Sequence, residues 1–402
     1  MSKKSPQLRF EGFTDDWELR KLGDVGDTFT GLTGKTKEDF GHGSAKFVTY
    51  VNVFRNPIAT LDQLDAVEID EKQNQVQKGD VFFTTSSETP EEVGMSSVWT
   101  YDTKNVYLNS FTFGYRPRVS FDLNYMASML RSPSIRKKIT FLAQGISRYN
   151  ISKTKMLEIE IPAPNLSEQT KIGLFFKGLD DTIALHQRKL DLLKEQKKGY
   201  LQKMFPKNGE KVPELRFAGF ADDWELRKSK ELCTISTGKG NTQDKVDDGA
   251  YPFYVRSATI EKSDEYLYDQ EAVLTVGDGV GTGKVYHYVN GKYNLHQRVY
   301  RMYDFKDVSA KYFYYYFSKN FYKRVMSMTA KTSVDSVRME MIADMNIVFP
   351  SVKEQENIVE LFSNLDKLVA STSGVPPSRK VMMGVFELTG NRSRYSSITP
   401  RH

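Results

Sequence analysis

The chain has 402 residues, one cysteine and a formal net charge of +6. This length has room for two domains of ordinary size, and a single cysteine excludes an internal disulfide framework. The sequence contains no apolar run long enough to span a bilayer and starts with polar residues, so we expect a protein of the reducing cytoplasm with no membrane partner. Residues 371–402 supply +4 of the charge, which leaves the rest nearly balanced and makes bulk charge weak evidence for nucleic acid.

The chain contains a repeat. Residues 6–21 return at 213–228 with the shared pattern Leu-Arg-Phe-x-Gly-Phe-x-Asp-Asp-Trp-Glu-Leu-Arg-Lys, and the pair Glu168-Gln169 returns as Glu354-Gln355. Between these borders the two interiors share few letters. The repeat therefore predicts two homologous domains in tandem whose borders are alike and whose interiors differ.

Both interiors have the same predicted order of elements. Each starts with a Gly/Thr/Lys-rich loop, continues with short β-prone runs and a helix, and ends with a strand that stops at a proline. The loops lie at 30–37 and 236–241, the clearest strands at 80–85 and 271–276, the helices at 124–130 and 311–317, and the last strands at 157–162 and 345–350. The predicted fold class is α+β, with two domains of similar topology.

The clearest periodicity follows the first domain. Apolar residues recur at steps of four and three from Ile172 to Met204, which is a heptad pattern and predicts a long helix over about 167–204. The second copy begins the same pattern, but Pro376 and Pro377 interrupt it. We expect a divergent, unpacked tail there, and leave open whether it is native or the product of a frameshift.

These elements define five predicted segments. They are a first domain at 1–166, a central helix at 167–205, a second domain at 206–352, the start of a distal helix at 353–370 and the tail at 371–402.

The combination of the repeated border, the Pro-x-x-x-Glu-Gln start of the central helix and the Leu-His-Gln-Arg-Lys-Leu segment at 185–190 resembles the specificity subunit of Type I restriction–modification enzymes. The resemblance covers about residues 5–370. It implies two target-recognition domains that each read half of a split sequence in double-stranded DNA, and long helices that dock methyltransferase subunits, with restriction subunits in the full complex. It also implies no catalytic residues and no cofactor of its own, because S-adenosylmethionine and ATP are used by the partner subunits.

The resemblance and the chemistry of DNA contact together name the candidate residues. Arginine, lysine, asparagine and serine supply the donors that DNA phosphates and base edges require. For most of these residues an ordinary polar turn or solvated loop is the alternative. The candidate DNA contacts are Lys35, Lys37, Ser147, Arg148, Tyr149, Asn150, Lys239, Asn241, Arg298, Ser336 and Arg338. The candidate partner-binding face of the central helix is Ile172, Phe176, Leu179, Ile183 and Leu190.

Other features have simpler interpretations. The aromatic run from Tyr312 to Phe317 has helical spacing and is predicted to be core. Residues 277–284 are glycine-rich but do not match a P-loop, and the scattered histidines predict no metal site. The basic residues at helix ends, Arg136–Lys138 and Lys323–Arg324, either contact phosphate or offset the helix dipole.

Two rival functions stay open. One is a DNA methyltransferase or nuclease with its own recognition repeats, although the sequence lacks the motifs of such enzymes. The other is a truncated or phase-varied subunit that is half-functional or regulatory.

Overall fold

The computed structural model describes residues 6, 8–207, 210–279, 281–328 and 336–374. Its contacts divide the described chain into two compact units, unit 1 up to His186 and unit 2 from Gln187 to Gly374. The predicted tail lies outside the described residues from position 375 onward.

Unit 1 begins with a short strand and ends in a long helix. Its strands are β1 (Glu18–Lys21), β2 (Gly26–Thr30), β3 (Phe40–Val48), β4 (Leu64–Val67), β5 (Val81–Thr84), β6 (Ser86–Ser87), β7 (Ser96–Val98), β8 (Val106–Leu108), β9 (Thr112–Pro117), β10 (Tyr149–Asn150) and β11 (Glu160–Ala163). Its helices are α1 (Leu22–Val25), α2 (Tyr50–Arg55), α3 (Leu123–Met129), α4 (Pro133–Leu142), α5 (Lys153–Leu157) and α6 (Leu166–Lys203), the last of which continues into unit 2.

Among the described residues, unit 2 follows a similar order with fewer helices. Its strands are β12 (Glu225–Lys228), β13 (Thr234–Thr237), β14 (Tyr251–Tyr254), β15 (Ile260–Ser263), β16 (Tyr268–Asp269), β17 (Ala272–Val276), β18 (Tyr286–Val289), β19 (Lys292–Leu295), β20 (Val299–Tyr303) and β21 (Asn346–Phe349). Its helices are α7 (Ser229–Leu232), α8 (Ala310–Ser327), α9 (Met339–Ala343) and α10 (Val352–Ser373).

The sheets of the two units correspond strand by strand. Unit 1 has a sheet of order β2-β9-β5-β7, and unit 2 has β13-β20-β17-β18. A second sheet, β4-β3-β8, matches β15-β14-β19 of unit 2, where β16 adds one more strand. In both units the pair β3·β8 or β14·β19 is parallel and its neighbour β4 or β15 is antiparallel. The predicted α+β fold of two similar domains is thus confirmed.

The repeated border sequence closes each unit. Strand β1 pairs antiparallel with β11, and β12 pairs with β21 in the same way, so the first and last strands of each unit form a two-stranded closing sheet. Beside it, Arg9 forms an ion pair with Glu168 at 2.7 Å, and Arg216 forms the equivalent pair with Glu354 at 2.8 Å. The two glutamates are 0% and 1% exposed. The border residues repeat because both units need the same closing sheet and the same ion pair beside it. The interiors have no such shared requirement.

The repeated glutamine has a second structural role. In unit 1 the Gln169 amide donates to the Pro164 carbonyl and accepts from the Asp122 amide at the start of α3. In unit 2 Gln355 makes the same contacts with Pro350 and Ser309 at the start of α8. The pair Glu-Gln thus ties the long helix to the border strands and to the helix of the interior.

The aromatic run of α8 lies in the core of unit 2, as predicted. Tyr312, Phe313 and Phe317 are fully buried, and Phe317 stacks on Phe321 with ring centroids 4.3 Å apart.

One helix prediction was incomplete, because the basic residues Arg136–Lys138 lie in a separate helix, α4. Pro133 occupies its first turn and Ser132 caps it by accepting from the Ile135 amide.

Helix α6 has the predicted length, 38 residues from Leu166 to Lys203. Its first turns belong to unit 1, where Ile172 and Phe176 are each 3% exposed and pack in the core. Its last turns belong to unit 2, where Leu193 and Tyr200 pack against the core and Lys197 pairs with Asp366 of α10. In each unit, therefore, one end of the helix is part of the domain itself.

Candidate nucleic-acid interface

Backbone hydrogen bonds align the loops of the two interiors residue by residue. In unit 1 the Thr85 amide donates to the Phe111 carbonyl, and the Ile151 amide donates to the Thr85 carbonyl. In unit 2 the Gly277 amide donates to the Arg298 carbonyl, and the Val337 amide donates to the Gly277 carbonyl.

This pattern makes several positions equivalent. Phe111 corresponds to Arg298, Ser86 to Asp278, and Asn150 to Ser336. The strand pairing agrees, because Asn150 lies opposite Ser86 and Ser336 lies opposite Asp278. The two units thus bring equivalent loops to equivalent places while presenting different side chains.

Glycines allow two of these loops to meet. A Cβ atom at Gly31 would collide with the carbonyl oxygen of Asn109, and one at Gly238 would collide with that of Leu295. Glycine at these positions lets the loop after β2 or β13 contact the loop after β8 or β19. The Gly/Thr/Lys-rich loops of the sequence are explained by this close approach.

In unit 2 the loops surround an open cleft of about 560 Å³. Three of the predicted DNA contacts line it, Lys239, Arg298 and Ser336, together with Asp278 and Gln297. This set of lining residues is called the unit 2 cleft below. Lys239, Arg298 and Ser336 are exposed, so their donors are available to a ligand.

Hydrogen bonds fix the loops of the unit 2 cleft. The side-chain amide of Gln297 donates to Asn241 at 3.1 Å, which joins the Lys239–Asn241 loop to the Arg298 loop. The His296 Nδ1 accepts from the Arg298 backbone amide at 3.1 Å. Burial, and then the charge of Arg256, lower the pKa of His296, which favours the neutral ring that can accept this bond. Asn294 is also buried and bonded to Ser263, so His296 and Asn294 are structural.

Sequence reasoning missed Arg256. Its Nε lies 2.8 Å from Asp278 Oδ1, while Nε of Arg298 lies 3.8 Å from Oδ2 of the same carboxylate. Two arginines of different loops therefore share one acid at the cleft. The available signal was a basic residue just past the β-prone run Tyr251–Tyr254, which is too common a pattern to single out.

Unit 1 has a cleft of about 460 Å³ that includes Ser86, the position equivalent to Asp278. The predicted residues Ser147 and Arg148 line it with Ser86, Glu88 and Glu92, and these residues are called the unit 1 cleft below. Two acids face one arginine here, which reverses the charge balance of the unit 2 cleft. Exposed apolar side chains lie on the neighbouring loops: Phe111 is 62% and Ile146 is 96% exposed.

The remaining predicted contacts of unit 1 fall into different places. Asn150 is exposed on β10, opposite Ser86. Tyr149 is half-buried and packs against the core of the unit. Lys37 is exposed but does not line the unit 1 cleft.

The prediction for Lys35 needs correction. Its ammonium group lies 2.9 Å from Asp70, its side chain is 14% exposed, and the carboxylate raises the pKa of Lys35. It is held in an ion pair within unit 1 and is not a free clamp for phosphate. The partner lies far along the sequence, so the pattern of residues around Lys35 did not reveal it.

Several basic residues have structural roles. Arg136 donates to the carbonyls of Glu91, Val93 and Gly94, and Arg324 donates to that of Met341. These contacts favour the structural alternative over phosphate contact. Arg338 is exposed and pairs with Glu340 at 2.7 Å. Residues 332–335, which the sequence placed in the second recognition loop, lie outside the described residues.

The predicted partner-binding face of α6 divides into two parts. Ile172 and Phe176 are core residues of unit 1, so they leave no surface for a partner, which corrects that part of the interpretation. Leu179 packs at the edge of the same core. Ile183 and Leu190 are half-buried and belong to no described core cluster.

Among the described residues, no group of three or more His, Cys, Asp or Glu side chains has the arrangement of a metal site. Within that same part of the chain, no helix combines the length and the apolar character needed to cross a membrane. Cys233 is buried in unit 2, and burial raises the pKa of its thiol to about 12, as expected for a structural cysteine.

Comparison with known proteins gives a family match over most of the chain. The sequence profile of the Type I restriction modification DNA specificity domain matches residues 14–195 and 221–376. The EcoDI specificity subunit of Escherichia coli is 29% identical over 150 residues, which cover 37% of this chain and 33% of that protein. The MjaVIII specificity subunit of Methanocaldococcus jannaschii is 23% identical over 266 residues, covering 59% and 63%. The matches thus span between one third and two thirds of these curated relatives.

Solved structures share the fold. The S subunit of a Type I restriction–modification system from M. genitalium aligns with a TM-score of 0.63 at 15% identity, covering 95% of this chain and 99% of that one. A structure described as the basis of complex assembly and conformational transition of the Type I system aligns with a TM-score of 0.50 at 15% identity, covering 91% and 92%. At these identities the likeness concerns the fold.

Proposed function

The chain belongs to the Type I restriction modification DNA specificity domain family, and on this premise we propose that it is the DNA sequence-specificity subunit of a Type I restriction–modification complex. Each unit reads one half of a bipartite target in double-stranded DNA. The chain itself catalyses no reaction and needs no cofactor. Methyltransferase subunits use S-adenosylmethionine, restriction subunits use ATP, and the complex works in the cytoplasm, where its DNA is found.

The equivalence of the loop positions in the two units carries this proposal. Unit 1 and unit 2 share their sheet orders, their closing sheets and the hydrogen bonds that position their loops. The side chains at equivalent positions nevertheless differ, as with Phe111 and Arg298 or Ser86 and Asp278. A repeated scaffold that presents two different sets of donors and acceptors is suited to reading two different base sequences, since each base pair offers its own pattern in the major groove.

The proposed contacts divide by chemistry. Lys239 and Lys37 are exposed cations that suit phosphate, which fixes the position of a protein on DNA without selecting a sequence. Ser147, Arg148, Asn150, Asn241, Arg298 and Ser336 offer the donors and acceptors that base edges require. The half-buried part of α6 at Ile183 and Leu190 is the proposed surface for the methyltransferase subunits.

Genome-wide methylation mapping tests the proposal. Cells would express the methyltransferase subunits of the same system with this chain, and control cells would express those subunits alone. We expect a gapped, two-part methylated motif that requires the chain. No motif in cells that contain the folded chain and its partners would contradict the proposal. A methylated motif made by the isolated chain would instead support an enzyme with its own recognition repeats.

A further inference from the structure

The unit 2 cleft contains an arrangement more specific than a basic surface. Asp278 is 28% exposed in its side chain and lies between Arg256 and Arg298, whose side chains are 51% and 66% exposed. In both pairs the closest contact uses Nε of the arginine. The acid therefore forms a close ion pair with Arg256 and a longer one with Arg298, and much of each guanidinium group stays accessible.

We infer that Arg298, held at its backbone and lying beside Asp278 and Arg256, reads a guanine in the half-site of unit 2. This inference rests on the proposed function and adds the identity of a base to it. Arginine binds the O6 and N7 acceptors of guanine with two parallel hydrogen bonds, and this is the commonest specific contact between a side chain and a base.

The backbone of the Arg298 loop is also held in place. His296 accepts from the Arg298 amide at 3.1 Å, and the Arg298 carbonyl accepts from the Gly277 amide at 2.8 Å. The backbone of Arg298 is thus restrained by two hydrogen bonds, while its side chain has a 3.8 Å ion-pair contact with Asp278. A restrained arginine loses less conformational freedom on binding, which favours a directional contact with a base.

The carboxylate argues against a simple phosphate contact. A phosphate group next to Arg298 or Arg256 would approach the negative charge of Asp278 and be repelled. Lys239 lines the same cleft and has no described ion pair, so it suits phosphate better. These charges favour a division of roles, in which the arginines read a base and Lys239 contacts the DNA phosphates.

Unit 1 provides an internal comparison. The position of Arg298 is occupied by Phe111, which has no hydrogen-bond donor in its side chain and is 62% exposed. The position of Asp278 is occupied by Ser86, which carries no charge. Unit 1 therefore does not read guanine at this position, and an exposed aromatic ring there fits the methyl group of thymine.

The experiment measures methylation at variants of the wild-type motif, one base at a time, by complexes that contain wild-type chain, Arg298→Lys or Arg298→Gln. Lysine keeps the charge and loses the planar fork, so it separates guanine reading from phosphate contact. We expect Arg298→Lys to reduce the preference for one guanine in the unit 2 half by about 5- to 100-fold, with the unit 1 half unchanged. Asp278→Asn removes the negative charge beside Arg298 and should reduce the preference for the same guanine by a smaller factor.

Matched variants complete the test. Arg227→Gln removes a half-buried arginine on β12 that pairs with Glu225 and Asp307, and should leave every position of the motif unchanged. Phe111→Ala should reduce the base preference at one position, in the unit 1 half only. A uniform loss across all sequences with Arg298→Gln, together with wild-type selectivity in Arg298→Lys, would overturn the inference in favour of phosphate contact. Absence of any motif with the wild-type chain would contradict the proposed function itself, which is a distinguishable result.

Discussion

Glu354 shows why the border residues of the two units are repeated while the interiors differ in sequence. Its side chain is 1% exposed, and both of its oxygens accept hydrogen bonds at 2.8 Å from the guanidinium group of Arg216. A buried carboxylate is tolerated when a partner neutralises it and satisfies its lone pairs. The equivalent Glu168 is also bonded to the indole nitrogen of Trp17 at 3.1 Å, so two of the repeated side chains meet at one glutamate.

Removing one member of this pair should destabilise unit 2. We expect Glu354→Ala to lower the free energy of unfolding of that unit by about 3–5 kcal/mol, because Arg216 would keep a mostly buried charge without its partner. Urea unfolding followed by tryptophan fluorescence of Trp224 measures the change. Glu225→Ala removes an exposed partner of Arg227 and should cost less than about 1 kcal/mol. Equal effects of the two substitutions would contradict this assignment.

Lys319 provides a prediction about pH. Its ammonium group donates to the Phe205 carbonyl at 3.1 Å, and burial, followed by the charges of Lys323 and Lys207, lowers the pKa of Lys319 to about 8 from 10.5. Between these two values the unfolded chain binds more protons at this residue than the folded chain. The contribution of Lys319 to stability therefore rises as the pH increases through this window.

The comparison of wild type with Lys319→Met isolates that contribution. We expect the difference in urea midpoint, wild type minus variant, to be larger at pH 9.5 than at pH 7.5. Other groups that titrate in this range are present in both proteins and cancel in the difference. An unchanged difference at the two pH values would show that Lys319 titrates normally in the folded chain.

At the scale of elements, α6 serves two purposes along its length. Its first turns complete the core of unit 1 through Ile172 and Phe176, and its last turns pack in unit 2 through Leu193 and Tyr200. Between them, Ile183 and Leu190 are half-buried, and Leu185 and Leu192 are 67% and 62% exposed. In the middle of the helix, Ile183 and Leu190 therefore leave apolar surface on one face for another protein, and Leu185 and Leu192 lie on nearly the opposite face.

Leu190→Asp tests whether the half-buried face of α6 is the proposed docking surface for methyltransferase subunits. A charge in the predicted apolar face should abolish co-purification with those subunits, while the circular dichroism spectrum stays that of the wild type because Leu190 belongs to no described core cluster. Leu192→Asp is the matched control, because a residue two positions further along a helix lies on nearly the opposite face. Loss of the complex with Leu192→Asp alone would place the partner on the other face.

The sequence predicted the elements that depend on local patterns and repeated letters. The heptad pattern predicted a helix over 167–204, and the structure has it at Leu166–Lys203. The repeated borders predicted two similar domains because both copies need the same closing sheet. By contrast, helix α4 was not distinguished from α3 in the sequence, because only residues 130–132 separate the two helices.

The clefts were predictable only in part. Lys239, Arg298 and Ser336 were named from the chemistry of DNA contact, and the structure places them along one cleft. Arg256 was missed, and Lys35 was misread, because their partners Asp278 and Asp70 are distant in sequence. The equivalence of Phe111 and Arg298 was also invisible, since it depends on backbone hydrogen bonds between interiors that share few letters.

At the scale of the whole molecule, the chain presents two clefts with opposite charge balance on one repeated scaffold. The unit 2 cleft has Lys239 and Arg298 beside Asp278, whereas the unit 1 cleft has Arg148 beside Glu88 and Glu92. Different side chains at equivalent loop positions, such as Phe111 and Arg298 or Ser86 and Asp278, predict that the two halves of the target have unrelated sequences and not two copies of one half-site. Because both halves need phosphate contacts, binding should weaken steeply as the salt concentration rises.

The central claim is that each unit reads its own half of the target, and a pair of equivalent substitutions tests it most directly. Asn150→Ala and Ser336→Ala remove exposed polar side chains at corresponding positions of unit 1 and unit 2. Methylation motifs would be mapped for complexes that carry each variant. We expect each substitution to reduce the base preference in one half of the motif only, and the two substitutions to affect different halves. Changes in the same half, or unaltered motifs from both variants, would contradict it.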